Sequence, residues 1–299
     1  MNITKTRKIW FAFSGALVAL SLILTFALGL NLGLDFLGGA RWDLSLQKDG
    51  KPVVQKTVQE FFETQKGSIL TKTPKIQATE SSSFLVTIEN ISDEQLHTLK
   101  ENLSQQFTVT ENSFRKVDSS IGKSFQQKAF WAVIFTLIGI ILTIAISFWK
   151  VPDSVSPWQF GIVAVIALFH DIIILLGVFA VLGYIFNIEL DLQFITALLA
   201  TLGFSVNDTI VILDRVRENL KKANAKQNKE DVIEMSVQQT LQRSINTSVS
   251  TLLPLIALLI AGANSIFFFV LALTVGIFVG TYSSIFLAAP LLLLWGKKR

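Results

Sequence analysis

Residues 192–213 read LQFITALLATLGFSVNDTIVIL, an apolar stretch of 22 residues with one carboxylate, Asp208, near its end. At 1.5 Å per residue, a helix of this length spans about 30 Å, the thickness of a bilayer's hydrocarbon core. An ionisable side chain inside that core costs roughly 2.5–3.5 kcal/mol on insertion scales, so its presence indicates a function. The stretch therefore predicts a transmembrane helix with a functional carboxylate.

Five further apolar stretches are near or above the length that a membrane-spanning helix needs. They are residues 9–30, 129–148, 158–182, 245–261 and 265–295. The first follows a basic start, as a signal peptide would, but its length favours a retained helix. With 51% hydrophobic and 16% charged residues, the whole composition favours a membrane protein. The predicted fold class is a polytopic α-helical membrane protein with six transmembrane helices.

The basic residues are distributed unevenly over the segments between these stretches. Lys and Arg number three in residues 1–9, one between the second and third stretches, seven between the fourth and fifth, and three in the tail. The two other short loops, near residues 183–191 and 262–264, have none. Because cytoplasmic loops carry an excess of Lys and Arg, we expect both termini in the cytoplasm and residues 31–128 outside.

Residues 31–128 have the pattern of one α+β domain. Apolar alternation and helical spacing predict strands at 41–47, 75–78, 84–89 and 107–117 and a first helix within 52–66. Ser92 and Gln95 form a capping box that opens the second helix. The order β-α-β-β-α-β predicts a ferredoxin-like domain. Its 12 acidic and 12 basic residues form no catalytic cluster, and His97 is expected to be exposed.

The predicted organisation therefore has three parts. Residues 1–30 form the N-terminal tail and first helix, residues 31–128 the extracytoplasmic domain, and residues 129–299 helices two to six with a cytoplasmic loop at 214–244. The chain has no Cys and only two His, which excludes disulfides and thiolate chemistry and gives little support to a zinc site. We expect no metal and no bound cofactor, and the net charge of +4 gives no support to nucleic-acid binding.

Two polar pairs lie inside apolar stretches: His170-Asp171 in the third and Asn207-Asp208 in the fourth. Helical spacing places Asp208 on one face with Thr201 and Ser205, so we expect Asp208 to face the bundle. Straight-helix counting leaves Asp171 about 10 Å higher than Asp208, too far for direct proton exchange without water. That offset also argues against a protease that uses both carboxylates.

Arg243 lies just before the apolar core of the fifth stretch, and antiparallel helices bring it to about the depth of Asp208. An ion pair between them would favour the charged carboxylate, and its loss in a dry environment would favour the protonated form. We therefore predict a proton-coupling site of Asp208, Arg243, Asn207, Asp171 and His170. The alternatives are that these residues simply tie helices together, or that they contact a partner subunit or lipid.

The sixth stretch carries small residues at a strict four-residue spacing, which predicts close helix packing. They are Gly276, Gly280, Ser284 and Ala288. The spacing leaves open whether the facing helix belongs to this chain or to a partner.

The run GFSVNDTIVILDRVREN at 203–219 closely resembles the signature on the fourth helix of SecF, a member of the SecD/SecF family of RND-related membrane proteins. Further matches are GLDFLGG at 33–39, ALFHD at 167–171, TLQRSINTS at 240–248 and residues 276–290. Leu37 and Phe169 depart from the family, which commonly has Thr and Ala there. The resemblance places Asp208 and Arg243 at family positions implicated in proton passage.

The resemblance also implies a function and partners. It implies a non-enzymatic subunit of the bacterial inner membrane that pairs with SecD and associates with the SecYEG channel and, in many bacteria, YajC. The pair would use the proton motive force to complete translocation of unfolded exported proteins. The alternative is a half-sized RND-like proton-driven exporter of lipids or small molecules, since related exporters share such helices.

Overall fold

A computed structural model describes residues 2–80, 83–149, 157–223, 227–262 and 266–294. The chain divides into two compact units, which we call the helical unit (Met1–Asn31 and Trp131–Arg299) and the α+β unit (Leu32–Phe130). Some residues used in the predictions lie outside the described ranges: Lys150, Lys226, residues 81–82 of the predicted hairpin, residues 263–264 of a loop, both ends of the sixth stretch and the basic tail.

Six helices in the described residues are long and apolar enough to cross a membrane, which confirms the predicted number. They are α1 (Arg7–Leu28), α5 (Ser119–Ser147), α6 (Pro157–Phe186), α7 (Leu192–Lys222), α8 (Lys229–Ala261) and the stretch Phe267–Leu291, which begins with α9 (Phe267–Ser283). After α9 the chain continues as a π-helical segment (Ser284–Ala288) and a short α10 (Ala289–Leu291).

Three of these helices extend well beyond their apolar stretches: α5, which begins at Ser119, α7 and α8. Residues 214–244, which we predicted as a cytoplasmic loop, belong mostly to α7 and α8. Asp214 pairs with Arg217, and Glu218 pairs with Lys222, each at 2.6 Å, and such pairs support an exposed helix end. The Asn228 side chain accepts a hydrogen bond from the backbone amide of Glu230 and so caps the start of α8.

Inside the helical unit, α9 packs closely on α7, and α1 packs on α6. A Cβ atom added at Gly276 would lie 2.5 Å from Cγ2 of Thr201, and one at Gly280 would lie 2.8 Å from Cβ of Ser205. The small-residue ridge therefore faces α7 of this chain. This close approach brings the hydroxyl-bearing faces of the two helices together.

The α+β unit contains a five-stranded sheet that curls into a half-barrel. Its elements are α2 (Leu34–Leu37), β1 (Gly39–Lys48), β2 (Lys51–Pro52), α3 (Gln55–Thr64), β3 (Lys75–Glu80), β4 (Ser83–Ile88), α4 (Asp93–Gln106) and β5 (Thr108–Val117). All neighbouring strands are antiparallel, and the order across the sheet is β3-β4-β1-β5, with β2 beside the end of β1.

The core of the α+β unit follows the predicted alternation. Trp42, Leu44 and Leu46 of β1 are buried, and the residues between them are only partly buried. The capping box of Ser92 and Gln95 is present and opens α4. His97 is exposed, with its Nδ1 3.4 Å from a carboxylate oxygen of Glu101.

Candidate functional site

Three of the predicted site residues lie equally far from an end of their own helices. Asp171 is as many residues from the first residue of α6 as Arg243 is from the first residue of α8. Asp208 is separated by the same number of residues from the last residue of α7. At 1.5 Å per residue, this distance is about 21 Å in each helix.

The predicted offset of about 10 Å in depth between Asp171 and Asp208 is wrong. Ser205, which lies three residues before Asp208 on α7, donates to Asp171 at 2.5 Å, so the two carboxylates differ in depth by only about one helical turn. The consecutive residues Ser283 and Ser284 each donate to one of the two carboxylates. The count failed because it measured the depth of Asp208 from the last apolar residue, at 213, whereas α7 continues to Lys222.

Asp171 joins three helices through hydrogen bonds to a buried carboxylate. Its Oδ2 accepts from the Ser205 hydroxyl of α7 at 2.5 Å and from the Ser283 hydroxyl of α9 at 2.9 Å. Its Oδ1 lies 2.9 Å from Nδ1 of His170. These bonds to the carboxylate thus come from hydroxyls and an imidazole, whose protons rotate or exchange.

Asp208 is equally buried and has a simpler environment. Its Oδ2 accepts a hydrogen bond from the Ser284 hydroxyl. Among the described residues, no Lys or Arg side chain contacts Asp208 or Asp171. The hydroxyl of Ser284 can accept as well as donate a hydrogen bond, so it can bond either a charged carboxylate or a neutral carboxyl group.

His170 extends the polar cluster towards α1 and α9. Its ring stacks on Tyr282 with the centroids 6.0 Å apart, and the Tyr282 hydroxyl lies 2.9 Å from that of Ser14. The Nε2 atom of His170 is buried and has no hydrogen-bond partner in the described part of the chain. Within those same residues, no three His, Cys, Asp or Glu side chains group closely enough to hold a metal ion.

Arg243 and Asn207 lie on the outward face of the helical unit. Both side chains are exposed, and among the described residues the Arg243 guanidinium has no carboxylate within ion-pair distance. The predicted Asp208–Arg243 ion pair is therefore not formed in this structure. Each residue in a helix is turned by about 100° from the one before, and here the neighbours Ser244 and Asp208 are the ones that face inward.

Other exposed residues share this outward face, which we call the α7–α8 face. It consists of Thr196, Gly203 and Asn207 on α7 and Gln239, Gln242, Arg243, Asn246 and Ser250 on α8, all exposed. Only 11% of the most apolar 18-residue segment of α8 is buried, against 56% of that of α6. Gln239 accepts a hydrogen bond from the Asn219 side chain at 2.9 Å, but Arg243 has no ion-pair partner among the described residues, and a charge at membrane depth needs a polar neighbour.

Sequence reasoning missed the role of the serines. It assigned Ser284 to helix packing, placed Ser205 only on the Asp208 face, and did not single out Ser283. Two consecutive serines in an otherwise apolar helix are a usable signal, because a hydroxyl buried in a membrane needs a partner. The partner's identity depends on how α9 is rotated against α6 and α7.

Comparisons with known proteins cover almost the whole chain. Residues 96–298 match the family described as protein export membrane protein SecD/SecF, C-terminal. The chain is 35% identical to the protein translocase subunit SecF of Sebaldella termitidis, covering 98% of this chain and 91% of that protein. It is 34% identical to the subunit SecDF of Thermus thermophilus, covering 95% of this chain and 37% of that longer protein.

A solved structure shows the same fold. The crystal structure of SecDF from Thermus thermophilus, described as a translocon-associated membrane protein, superposes with a TM-score of 0.82 at 33% identity. The match covers 99% of this chain and 38% of that chain.

Proposed function

The chain belongs to the SecD/SecF family of protein export membrane proteins and is a SecF-type accessory subunit of Sec protein translocation, and we propose that the proton motive force drives it. The observation that carries the proposal is the pair of buried carboxylates, Asp171 and Asp208, about 21 Å from the helix ends with no Lys or Arg side chain paired with them in the described part of the chain. Ionisable residues at membrane depth are costly and mark functional paths such as proton relays, which is the role proposed for these two carboxylates.

We propose that a SecD-type partner covers the α7–α8 face. The fused SecDF relative supports an association of the two kinds of subunit, and this chain corresponds to only 37% of that relative. An exposed Arg243 at membrane depth is costly in lipid, and a carboxylate supplied by the partner, or a wet cleft, would remove that cost. Protonation of Asp208 would then change the electrostatic field that acts on the Arg243 guanidinium.

The remaining assignments complete the proposed function. The protein lies in the bacterial inner membrane with both termini in the cytoplasm, as the distribution of basic residues supports. Residues 31–128 form the extracytoplasmic domain, for which the strand order β3-β4-β1-β5 supports a ferredoxin-like fold. The partners are SecD, the SecYEG channel and YajC, the substrates are unfolded exported proteins, and the chain works without enzymatic activity, metal or cofactor.

The decisive experiment replaces Asp208 by Asn in the complete complex. We expect secretion that depends on the proton motive force to be lost, because the amide cannot take up a proton, while the complex still assembles. Asp214→Asn is the matched control, since Asp214 lies on the same helix but is exposed and paired with Arg217. Undiminished secretion in Asp208→Asn, at normal levels of the complex, would overturn the proposal.

A further inference from the structure

We propose that Ser283 and Ser284 form a hydroxyl switch that serves Asp171 and Asp208 in both of their protonation states. The inference rests on the proposed proton coupling and adds two positioning residues to it. Both serines are fully buried, and each donates to a different carboxylate. They lie where α9 passes into the π-helical segment, a kind of irregularity that frequently occurs at functional sites.

Each hydroxyl has a second acceptor within reach. Ser283 Oγ lies 2.9 Å from Oδ2 of Asp171 and 3.1 Å from the carbonyl oxygen of Gly280. Ser284 Oγ, which donates to Oδ2 of Asp208, lies 2.9 Å from the carbonyl oxygen of Thr281. A hydroxyl has one proton to donate and two lone pairs that accept, so it chooses between these acceptors.

The two acceptors define the two states of the switch. When the carboxylate is charged, the serine hydroxyl donates to it. When a proton binds to Oδ2, the new carboxyl O–H donates to the serine Oγ, and the hydroxyl proton turns to the carbonyl three residues earlier. One proton joins one carboxylate oxygen, and the serine only rotates about its Cβ–Oγ bond.

This property explains why hydroxyls surround these carboxylates. A buried polar group without a hydrogen bond is costly, so each protonation state needs its own partner. A backbone N–H or a guanidinium can only donate, so it favours the charged form and cannot accept the proton of the neutral one, whereas a carbonyl can only accept that proton. The serines serve both, which makes proton gain and loss reversible without an unpaired group.

The switch also contacts the helix that carries Arg243. The Thr281 carbonyl accepts from Ser284, and the Thr281 hydroxyl lies 2.6 Å from that of Ser248 on α8, five residues after Arg243. The other titratable groups packed around the switch are His170 of α6 and Tyr282 of α9. Protonation of Asp208 thus alters a hydrogen bond at a residue that touches α8.

The test uses Ser283→Ala and Ser284→Ala in the complete complex, with the aspartates isotope-labelled for infrared spectroscopy. We expect each variant to lower proton-dependent secretion about tenfold, because a hydrogen bond to a charged group is lost. We also expect the stretching band of the protonated carboxyl to shift, because the neutral acid loses its acceptor. Ser21→Ala, a buried serine of α1 away from both carboxylates, is the control and should change neither readout.

The outcomes separate this inference from the proposed function. If Asp208→Asn abolishes secretion while both serine variants keep it with unchanged carboxyl bands, the switch is wrong and the proton coupling stands. If the serine variants lose secretion but the bands stay in place, the hydroxyls are structural and the switch is again wrong. If Asp208→Asn secretes normally, the proton coupling itself fails.

Discussion

Two regions of the helical unit bury carboxylates in opposite ways. Near the start of α8, the Glu234 carboxylate accepts hydrogen bonds from the backbone amides of Ile3, at 3.2 Å, and Thr4, at 2.7 Å. It also accepts one from the side-chain amide of Gln238, at 2.9 Å. In the middle of the helices, Asp171 and Asp208 are bonded by side-chain hydroxyls and an imidazole. Both regions are shielded from solvent, so burial alone does not distinguish them.

The difference lies in the donors. A backbone N–H and an amide N–H can only donate, so they favour the charged form of Glu234 and offer no acceptor for the proton of a neutral one. Hydroxyls adapt to either form. Glu234 therefore holds the first residues of the chain against α8 through hydrogen bonds. Asp171 and Asp208, in contrast, have donors that suit a change of charge. Three further variants test this contrast.

The largest effect is expected from Asp171→Asn. An amide has nearly the shape of the carboxylate but cannot carry the proton, and a positioned acid or base is worth roughly a hundredfold or more in rate. We expect proton-dependent secretion to fall by that order while the complex keeps its thermal stability. A variant that unfolds instead, or one that secretes normally, would place Asp171 with the structural carboxylates.

Glu234→Ala should lower stability and leave secretion unchanged, which is the reverse of the result expected for Asp171→Asn. Two backbone amides lose their acceptor at a buried position, which costs about 1–3 kcal/mol. We expect a lower melting temperature of the purified chain and unchanged secretion per assembled complex. Glu230→Ala is the matched control, because Glu230 lies one turn earlier in a partly exposed ion pair with Arg7, which is worth at most about 1 kcal/mol. Equal losses in the two variants would contradict the role given to the buried amides.

The smallest effect concerns an exposed carboxylate of the α+β unit. The Lys100 ammonium donates to Glu111 at 2.8 Å and lowers the pKa of that carboxyl, against the opposing effect of burial. The folded pKa lies below the unfolded one, near about 4.3, so this stabilisation is present above the unfolded pKa and is lost as pH falls through the folded one. After allowance for solvent screening it is worth well under about 1 kcal/mol.

We expect Glu111→Gln to remove this small pH dependence. The measurement is hydrogen exchange of the β5 amides in the full chain, followed from neutral to acid pH in both proteins. A wild-type protein whose β5 protection does not fall more steeply than the variant's would contradict the assignment.

Much of the architecture follows from the sequence because its signals are local. A span needs about 20 apolar residues, whatever it packs against, so hydropathy alone predicted the six helices. Ser92 and Gln95 lie three residues apart, and their capping box depends only on that spacing. The helix ends were harder, because ion pairs beyond residue 213 extend α7 past its apolar core.

The candidate site was only half accessible from the sequence. Periodicity correctly turned Asp208 inward, and Arg243 lies as many residues from the start of α8 as Asp208 lies from the end of α7. The predicted Asp208–Arg243 ion pair is not formed, because consecutive residues of a helix point about 100° apart. This rotation turns the Arg243 side chain to the exposed face of α8.

Which residues enter the membrane follows from hydropathy and helical period, because both are properties of consecutive residues. Which of these side chains contact one another follows from the packing of the helices. The close approach of α9 to α7 at Gly276 and Gly280 places Ser283 and Ser284 against carboxylates that are 112 and 76 residues away along the chain. Such contacts depend on the depth and rotation of each packed helix, and a shift of one residue changes every partner.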